Sequence, residues 1–461
     1  MQKIVDGLRQ FQPEHLSYDY LGKFVKNISL SDCQYKDLLP PVDESGSYSR
    51  NILMLEPLEC VLLHWPPGVE SAIHYHKGFW GYVLVLEGAC DNIEYTLEDG
   101  KLIESQTIRA LAGGVLDEPD GTIHKITNPS KTRTLVTAHF YYPALETLDG
   151  LAVYDIETER VGVLNEKAGS ASFTEPEAHF HSIQESAFQY VPLEKSGRVR
   201  THHIFPIIPK PDGDWIRNMI SDYYNEQSKE YDNFDLLHES RRKYTRRVNQ
   251  VIADILGEKG KLKEVLAIAC GTGRRAIKIR ELCCRDYAIT CVDLSEEMCC
   301  QAEERGVATR VGAWLDVKVP DETYDAVTFL YAFGHIPSRE ERKASLEKIF
   351  RKMNSGGVLF LDAFNANDRN EWGPRAIQKY EKLRLANYGY EKGDVFYKKL
   401  GGEAIAFLHY FEEEDLRMLV EEAGFRIREV KHIGYVYRSG EILDRVDEGA
   451  LLLIAEKAGS R

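Results

Sequence analysis

Two rhythms of apolar and polar residues divide this chain. Between residues 50 and 165 the apolar runs are short, as in Asn51-Ile52-Leu53-Met54-Leu55, Tyr82-Val83-Leu84-Val85-Leu86 and Thr134-Leu135-Val136-Thr137-Ala138-His139-Phe140-Tyr141. Aliphatic, β-branched and aromatic residues fill them, and turns of Gly, Pro and Asp separate them, as a sandwich or barrel requires. The first forty residues read as short helices ahead of that sheet. Past residue 214 the rhythm changes. A helix is predicted from about Trp215 through Tyr223. Strands at 264–269, 288–292, 326–329 and 357–362 then alternate with helical patterns, which predicts a parallel sheet with helices on both faces. A last apolar run at 450–455 predicts one more buried strand. Between the two regions, residues 205–214 hold three prolines and a glycine, which neither a helix nor an inner strand tolerates. The expected organisation is therefore an all-β domain over 1–200, a Pro-rich linker over 201–214 and an α/β domain over 215–461.

Composition narrows the class. A chain of 461 residues is too long for one ordinary core. No apolar stretch approaches the ~20 residues of a membrane span, and the N-terminus lacks the apolar core of a secretion signal. A net charge of −15 argues against a nucleic-acid surface, which needs a basic stripe. The cytoplasm is the expected address, and oligomeric state is unreadable. Six of the nine cysteines crowd into 270–300, two pairs of them adjacent. Adjacent cysteines lack the two-residue gap of a zinc knuckle, so reduced thiols in the core are expected.

Candidate chemistry in the first region starts from histidines. His74 and His76 on one strand would point to the same face, because side chains alternate with period two. His124 from a distant strand would complete one face of an octahedron, a donor set of neutral imidazoles that suits Fe(II) and leaves positions open. A second pair, His179 and His181, has no distant third partner and is expected to bind nothing. His202 and His203, being adjacent, would face opposite sides of a strand.

The surrounding spacing carries a resemblance. Gly68, His74, His76, Gly81 and Gly88, then Gly113, Pro119, Gly121, His124 and Asn128, trace the two halves of the cupin signature. Within that fold the chain resembles cysteine dioxygenase over roughly residues 1–195. The segments that carry it are Tyr48-Ser49-Arg50-Asn51, Trp65 with Ile73-His74-Tyr75-His76, Ile123–Asn128, and Thr137-Ala138-His139-Phe140-Tyr141. The resemblance implies His74, His76 and His124 as iron ligands. It implies Arg50 as the group that takes a substrate carboxylate, beside Tyr48 and Trp65, and Thr137, His139 and Tyr141 as a relay. Without it, Arg50 would read as a surface ion pair and Tyr141 as core packing. Gly81 stands where most cupins place a metal-binding carboxylate and where animal relatives carry a crosslinking cysteine, so no crosslink is expected. Tyr75 replaces the aspartate often found between the first two histidines.

In the second region, Val265–Ala269 runs into Cys270-Gly271-Thr272-Gly273-Arg274, a strand, a glycine turn and a helix. About twenty residues on, Cys291-Val292-Asp293-Leu294-Ser295 ends the next strand with a carboxylate, where a doubly wound fold holds ribose hydroxyls. Such a pair fits NAD as well as a nucleoside donor. The residues resemble class I methyltransferases over about 215–457, with Gly312-Ala313-Trp314-Leu315-Asp316 as the adenine segment and Tyr223-Tyr224 and Glu230-Tyr231-Asp232 as a closing element. This implies S-adenosylmethionine held by Gly271, Gly273, Asp293, Leu294, Leu315 and Asp316, although Asp316 also reads as a solvated loop acid. Ala267 and Ala269 replace the acid and glycine usual in the first motif, which leaves a degenerate domain open. Tyr331 and His335 lie where catalytic groups gather or where side chains only shape a pocket.

The expected whole is a bifunctional enzyme. An Fe(II)- and O2-dependent oxidation takes cysteine, or another carboxylate-bearing thiol such as 3-mercaptopropionate, to its sulfinic acid. A methylation acts on a small molecule, either the oxidised product or a derivative, or one unrelated to it. A cupin that senses metal or thiol for the methyltransferase is the non-enzymatic alternative.

Overall fold

The computed structural model describes residues 1–42, 47–193, 202–233, 238–399 and 402–458. Two compact units emerge, Met1–Lys210 and Pro211–Arg461. The expected boundary at 200/201 lies outside the described residues. The proline-rich stretch after it is more than a linker: His202–Phe205 and Ile207–Ile208 are short strands, and the second runs parallel to Arg109–Ala110.

The first unit opens with two short helices, α1 (Gln2–Leu8) and α2 (Tyr18–Lys26). The Ser17 hydroxyl caps α2 by accepting from the Tyr20 amide. Its strands are β1 (Ser49–Met54), β2 (Glu59–Trp65), β3 (Ile73–Tyr75), β4 (Trp80–Glu87), β5 (Ala89–Glu98), β6 (Lys101–Leu111) and β7 (Val115–Glu118). They continue with β8 (Ile123–Thr127), β9 (Leu135–Tyr142), β10 (Ala152–Asp155), β11 (Arg160–Leu164), β12 (Phe180–Gln184) and β13 (Gln189–Val191). One sheet has the order β1-β2-β9-β4-β7 and the other β12-β11-β10-β3-β8-β5-β6-β13. This is the strand-rich cupin-type barrel. Period-two alternation gives β9 two working faces. Val136, Ala138 and Phe140 join the apolar cluster of α1 and α2, while Thr137, His139 and Tyr141 turn the other way.

The second unit is a Rossmann-like α/β fold. Its sheet uses the strands Glu264–Ile268, Ala288–Asp293, Ala308–Val311, Tyr324–Phe329 and Met353–Ala363, all mutually parallel where they pair. Ala450–Lys457 then pairs antiparallel with the last of them, and Phe425–Ile433 antiparallel with it in turn. Successive residues of one strand serve opposite cores: Leu266 and Ile268 pack with Val327 and Phe329, whereas Val265 and Ala267 pack with Ala326 and Phe360. Burial on both faces is why these strands read as continuous apolar runs. The antiparallel edge and the hairpin Asp394–Lys399 with Ile405–His409 were not expected, apart from the strand at 450–455. No helix among the described residues is long and apolar enough to cross a membrane.

Candidate metal centre and cofactor cleft

Antiparallel pairing of β3 with β8 sets His74 directly opposite His124. His76 follows β3 by one residue, its amide bonded to Thr122 O at 2.8 Å. The three Nε2 atoms form a triangle with sides of 3.2, 3.2 and 2.9 Å. Metal–imidazole bonds of about 2.1 Å put two donors about 3.0 Å apart at a right angle and about 3.4 Å apart at a tetrahedral angle. The observed triangle fits the octahedral face. Second bonds orient the rings: His74 Nδ1 donates to Ala72 O at 3.0 Å and His124 Nδ1 to Asn92 Oδ1 at 2.7 Å. Each leaves its Nε2 lone pair facing the centre. Burial, and for His76 and His124 also the neighbouring imidazoles, drives all three pKa values down, so the rings are neutral donors. The ring of Phe79, 4.3 Å from that of His76, closes one side against water.

Thr137, His139 and Tyr141 form a continuous buried chain. Trp65 Nε1 donates to Thr137 Oγ1 at 2.9 Å. An indole N–H cannot accept, so the threonine hydroxyl must turn its own hydrogen to His139 Nε2, 2.8 Å away. His139 then carries its proton on Nδ1 and donates to Tyr141 Oη at 2.8 Å. Tyr141 Oη donates in turn to Glu118 Oε2 at 2.7 Å. Burial, with the Arg50 charge as a second cause, lowers the His139 pKa to about 3. The chain is thus neutral and polarised in one direction. Trp65 is buried within this relay, with the Tyr48 ring tilted against it at 4.3 Å between centroids.

Two acids complete the pocket, and the sequence pattern had not singled out either. Glu118 lies opposite Gly81 across β4 and β7, and Tyr141 lies opposite Gly81 across β4 and β9. A Cβ at position 81 would sit 2.1 Å from Phe140 O and 2.4 Å from Tyr141 Cδ1. Position 81 therefore has no room for a carboxylate, and the neighbouring strand supplies one instead. Glu118 Oε1 is 3.6 Å from His124 Nδ1 and has no hydrogen-bond partner. Burial pushes its pKa up to about 8. Inside the run Asp117-Glu118-Pro119-Asp120 it reads as a turn acid; only the strand period, with Asp117 outward, could have turned it inward. The second acid, Glu59, is buried beside Arg50, at 3.4 Å from its Nη2, and also accepts from the Leu145 amide at 3.1 Å.

The other histidines do not converge. His179 pairs with Glu175 and His181 with Asp149, each about 2.7 Å or closer. An exposed group of Asp149, Glu166 and His181 has metal-compatible spacing, but exposed acids commonly cluster without an ion. All nine cysteines are free thiols.

In the second unit an open cleft of about 230 Å³ lies between the sheet's C-terminal edge and helix α3 (Gly213–Gln227). Gly271, Asp293, Leu294, Leu315 and Asp316 all line it. Gly273 does not. It sits at φ +74°, where a side chain is strained, and a Cβ there would press on Ala302 at 3.0 Å, so it serves helix packing. Asp293 is held by two backbone donors, Gly271 N at 2.7 Å and Ser295 N at 2.9 Å. Burial raises its pKa despite those bonds. Lys348 went unnoticed in the sequence. It donates to the carbonyls of Trp314, Leu315 and Val317 at 2.6–2.9 Å and so fixes the turn carrying Leu315 and Asp316. His335 donates from Nδ1 to Phe407 O and accepts Tyr224 Oη on Nε2 at 2.7 Å. Burial holds its pKa near about 4, so it is neutral at ordinary pH.

Family models match a stretch in each of the two units. Residues 43–153 match the model for cysteine dioxygenase type I, and residues 237–430 match that for a methyltransferase domain. The chain joins a cysteine dioxygenase type I domain to a methyltransferase domain. Both families are enzymes, and their cofactors are iron and S-adenosylmethionine. Solved structures similar to the chain include a SAM-dependent methyltransferase from Methanosarcina mazei, with 20% identity, 45% of this chain and 98% of that one covered, and a TM-score of 0.37. Another is the 1,6-didemethyltoxoflavin-N1-methyltransferase of Burkholderia thailandensis, with 15% identity, 54% and 91% covered, and a TM-score of 0.38.

Proposed function

We propose that the chain is bifunctional: its first domain oxidises a small carboxylate-bearing thiol, L-cysteine foremost, to the sulfinic acid, and its second methylates a small molecule. The observation that carries the first half is the Nε2 triangle of His74, His76 and His124, with sides of 2.9–3.2 Å, beside the relay that ends at Tyr141. His74, His76 and His124 would hold the iron, which would supply the means of bringing a thiolate and O2 together. The net reaction adds both oxygen atoms to sulfur, RSH + O2 giving RSO2H.

The chain's own groups do the rest. Arg50 takes the carboxylate through its planar fork, and must exchange its contact with Glu59 to do so. Ala72 O and Asn92 Oδ1 hold two imidazoles in the ligand tautomer. Tyr141 keeps its hydroxyl between His139 and Glu118, a fixed dipole at the edge of the reaction space. In the second domain, Asp293 would hold the ribose hydroxyls and Asp316 the adenine amine. Proximity and alignment then suffice for methyl transfer.

Oxygen uptake by iron-loaded, full-length protein tests the reading. Cysteine should give one O2 consumed per sulfinate formed, with cysteamine, which has no carboxylate for Arg50, turned over far more slowly. Equal rates on both thiols, or no uptake on any, would sink it. Mass spectrometry with added methyl donor then reads the second activity.

A further inference from the structure

A second cavity lies beside the cofactor cleft and shares Tyr231, Gly271 and Tyr331 with it. Its floor is apolar, formed in part by Ala267 and Ala269, but its walls are not. Arg241, Arg274, Arg275 and Lys278 line it against a single acid, Asp232. Four cations thus line one cavity of a chain whose net charge is −15, and one of them, Lys278, is paired with Glu281 at 2.9 Å. Asp232 is engaged by Arg305 at 2.6 Å and Thr272 at 2.8 Å. Asp362, 3.6 Å from Arg275, offsets one more charge.

Tyr331 organises the cavity. Its backbone is held at φ +64°, a region costly for a bulky residue, while its amide donates to the buried Asp362 carboxylate. Two guanidinium groups lie over the ring, with Arg241 Cζ and Arg275 Cζ each 4.9 Å from its centroid. Arg275 spends its Nε on Asn249 Oδ1 at 2.8 Å, but its Nη1 and Nη2 are buried without a hydrogen-bond partner. Orphaned donors on a buried cation are costly, and a ligand that accepts from them removes the cost.

We infer that this cavity binds the anionic end of the methyl acceptor, a small molecule bearing carboxylate, sulfinate or both. The inference rests on the methyltransferase reading of the second domain and adds the acceptor's charge class. An amino-acid sulfinate, the product proposed for the first domain, carries both kinds of oxyanion. The planar forks of Arg241 and Arg275, stacked on one ring, suit planar or pyramidal oxyanions. Tyr331, common to both cavities, sets the acceptor beside the donor cleft.

Calorimetric titration of the full-length protein decides it, with L-cysteine sulfinate as the probe in the presence of saturating S-adenosylhomocysteine, and S-adenosylhomocysteine titrated alone. Arg275→Gln and Arg241→Gln should each weaken the sulfinate probe at least tenfold and change S-adenosylhomocysteine affinity less than threefold. A tenfold loss carried or shared by S-adenosylhomocysteine would assign the cations to the cofactor's own carboxylate and overturn the inference. So would an unmodified protein that does not bind the probe. If S-adenosylhomocysteine does not bind the unmodified protein, the methyltransferase reading fails, while the probe titrated alone still scores the cavity. Should a variant misfold, amide exchange in Arg274–Cys283 of the unmodified protein must slow on adding the probe; unchanged exchange rejects the proposal.

Discussion

Replacing Tyr141 by Phe removes one oxygen atom and breaks two buried bonds. Tyr141 Oη accepts from His139 Nδ1 at 2.8 Å and donates to Glu118 Oε2 at 2.7 Å. Both partners are buried, and Glu118 Oε1 is already unpartnered, so Tyr141→Phe leaves that carboxyl with no hydrogen bond. Each orphaned polar group costs about 1–3 kcal/mol. The ring is retained, so no cavity term is added. The pair together costs about 2–6 kcal/mol, and the lower half of that range, about 3 kcal/mol, corresponds to roughly 100-fold in an opening equilibrium. Hydrogen exchange of the β9 amides in metal-free, full-length protein reports that equilibrium locally. These amides should exchange roughly 100-fold faster in Tyr141→Phe, with those of Glu264–Ile268 unchanged. Combining it with Glu118→Leu, which deletes the orphaned carboxyl, should recover part of the loss. Exchange within threefold of the unmodified protein would refute the reasoning, because Tyr141 would then not hold the two groups together.

Asn92→Ala removes the acceptor that orients His124, and iron affinity, followed by competition with a chelator, should fall about 10–100-fold while the fold survives. Glu59→Gln frees Arg50, so KM for cysteine should fall while cysteamine turnover stays put. The pH sign follows from burial, which raises the Glu59 pKa. As pH falls through that raised value the carboxyl becomes neutral and releases Arg50, so KM for cysteine should drop toward acid in the unmodified protein and stay flat in Glu59→Gln. Asp293→Ala deprives Gly271 N and Ser295 N of their acceptor, and S-adenosylhomocysteine binding should weaken at least tenfold by calorimetry. Gly81→Ala drives a methyl into Phe140 O and the Tyr141 ring; overpacking of that kind costs about 1–3 kcal/mol, read as a lower melting temperature.

Residues that contribute chemistry through local spacing were legible in the chain. The His-x-His pair and the glycine turn at 270–273 lie within a few residues, where the strand period or turn chemistry dictates geometry. Thr137, His139 and Tyr141 follow the same period on β9. Glu118, Glu59, Lys348 and Arg275 were not legible. Each is an ordinary charged residue until a distant strand or carbonyl comes beside it, as Gly81 comes beside Glu118 and three carbonyls come beside Lys348. Gly273 shows the converse, a motif glycine whose pressure comes from Ala302 on another helix.

Period and punctuation in the sequence determined the two-domain layout, the strand-rich first half, the parallel core of the second and the common face of His74 and His76, while the resemblance and the β3–β8 register brought in His124. Local sterics and side-chain alternation act over a few residues and need no distant partner to be read. Only the tertiary structure decided which charges were buried and what they faced. It set a carboxylate beside Tyr141 where position 81 has no space, put an acid against Arg50 and stacked two guanidinium groups on Tyr331. Such pairings depend on strand register and sheet order, because electrostatics in a folded chain acts through space and not along sequence.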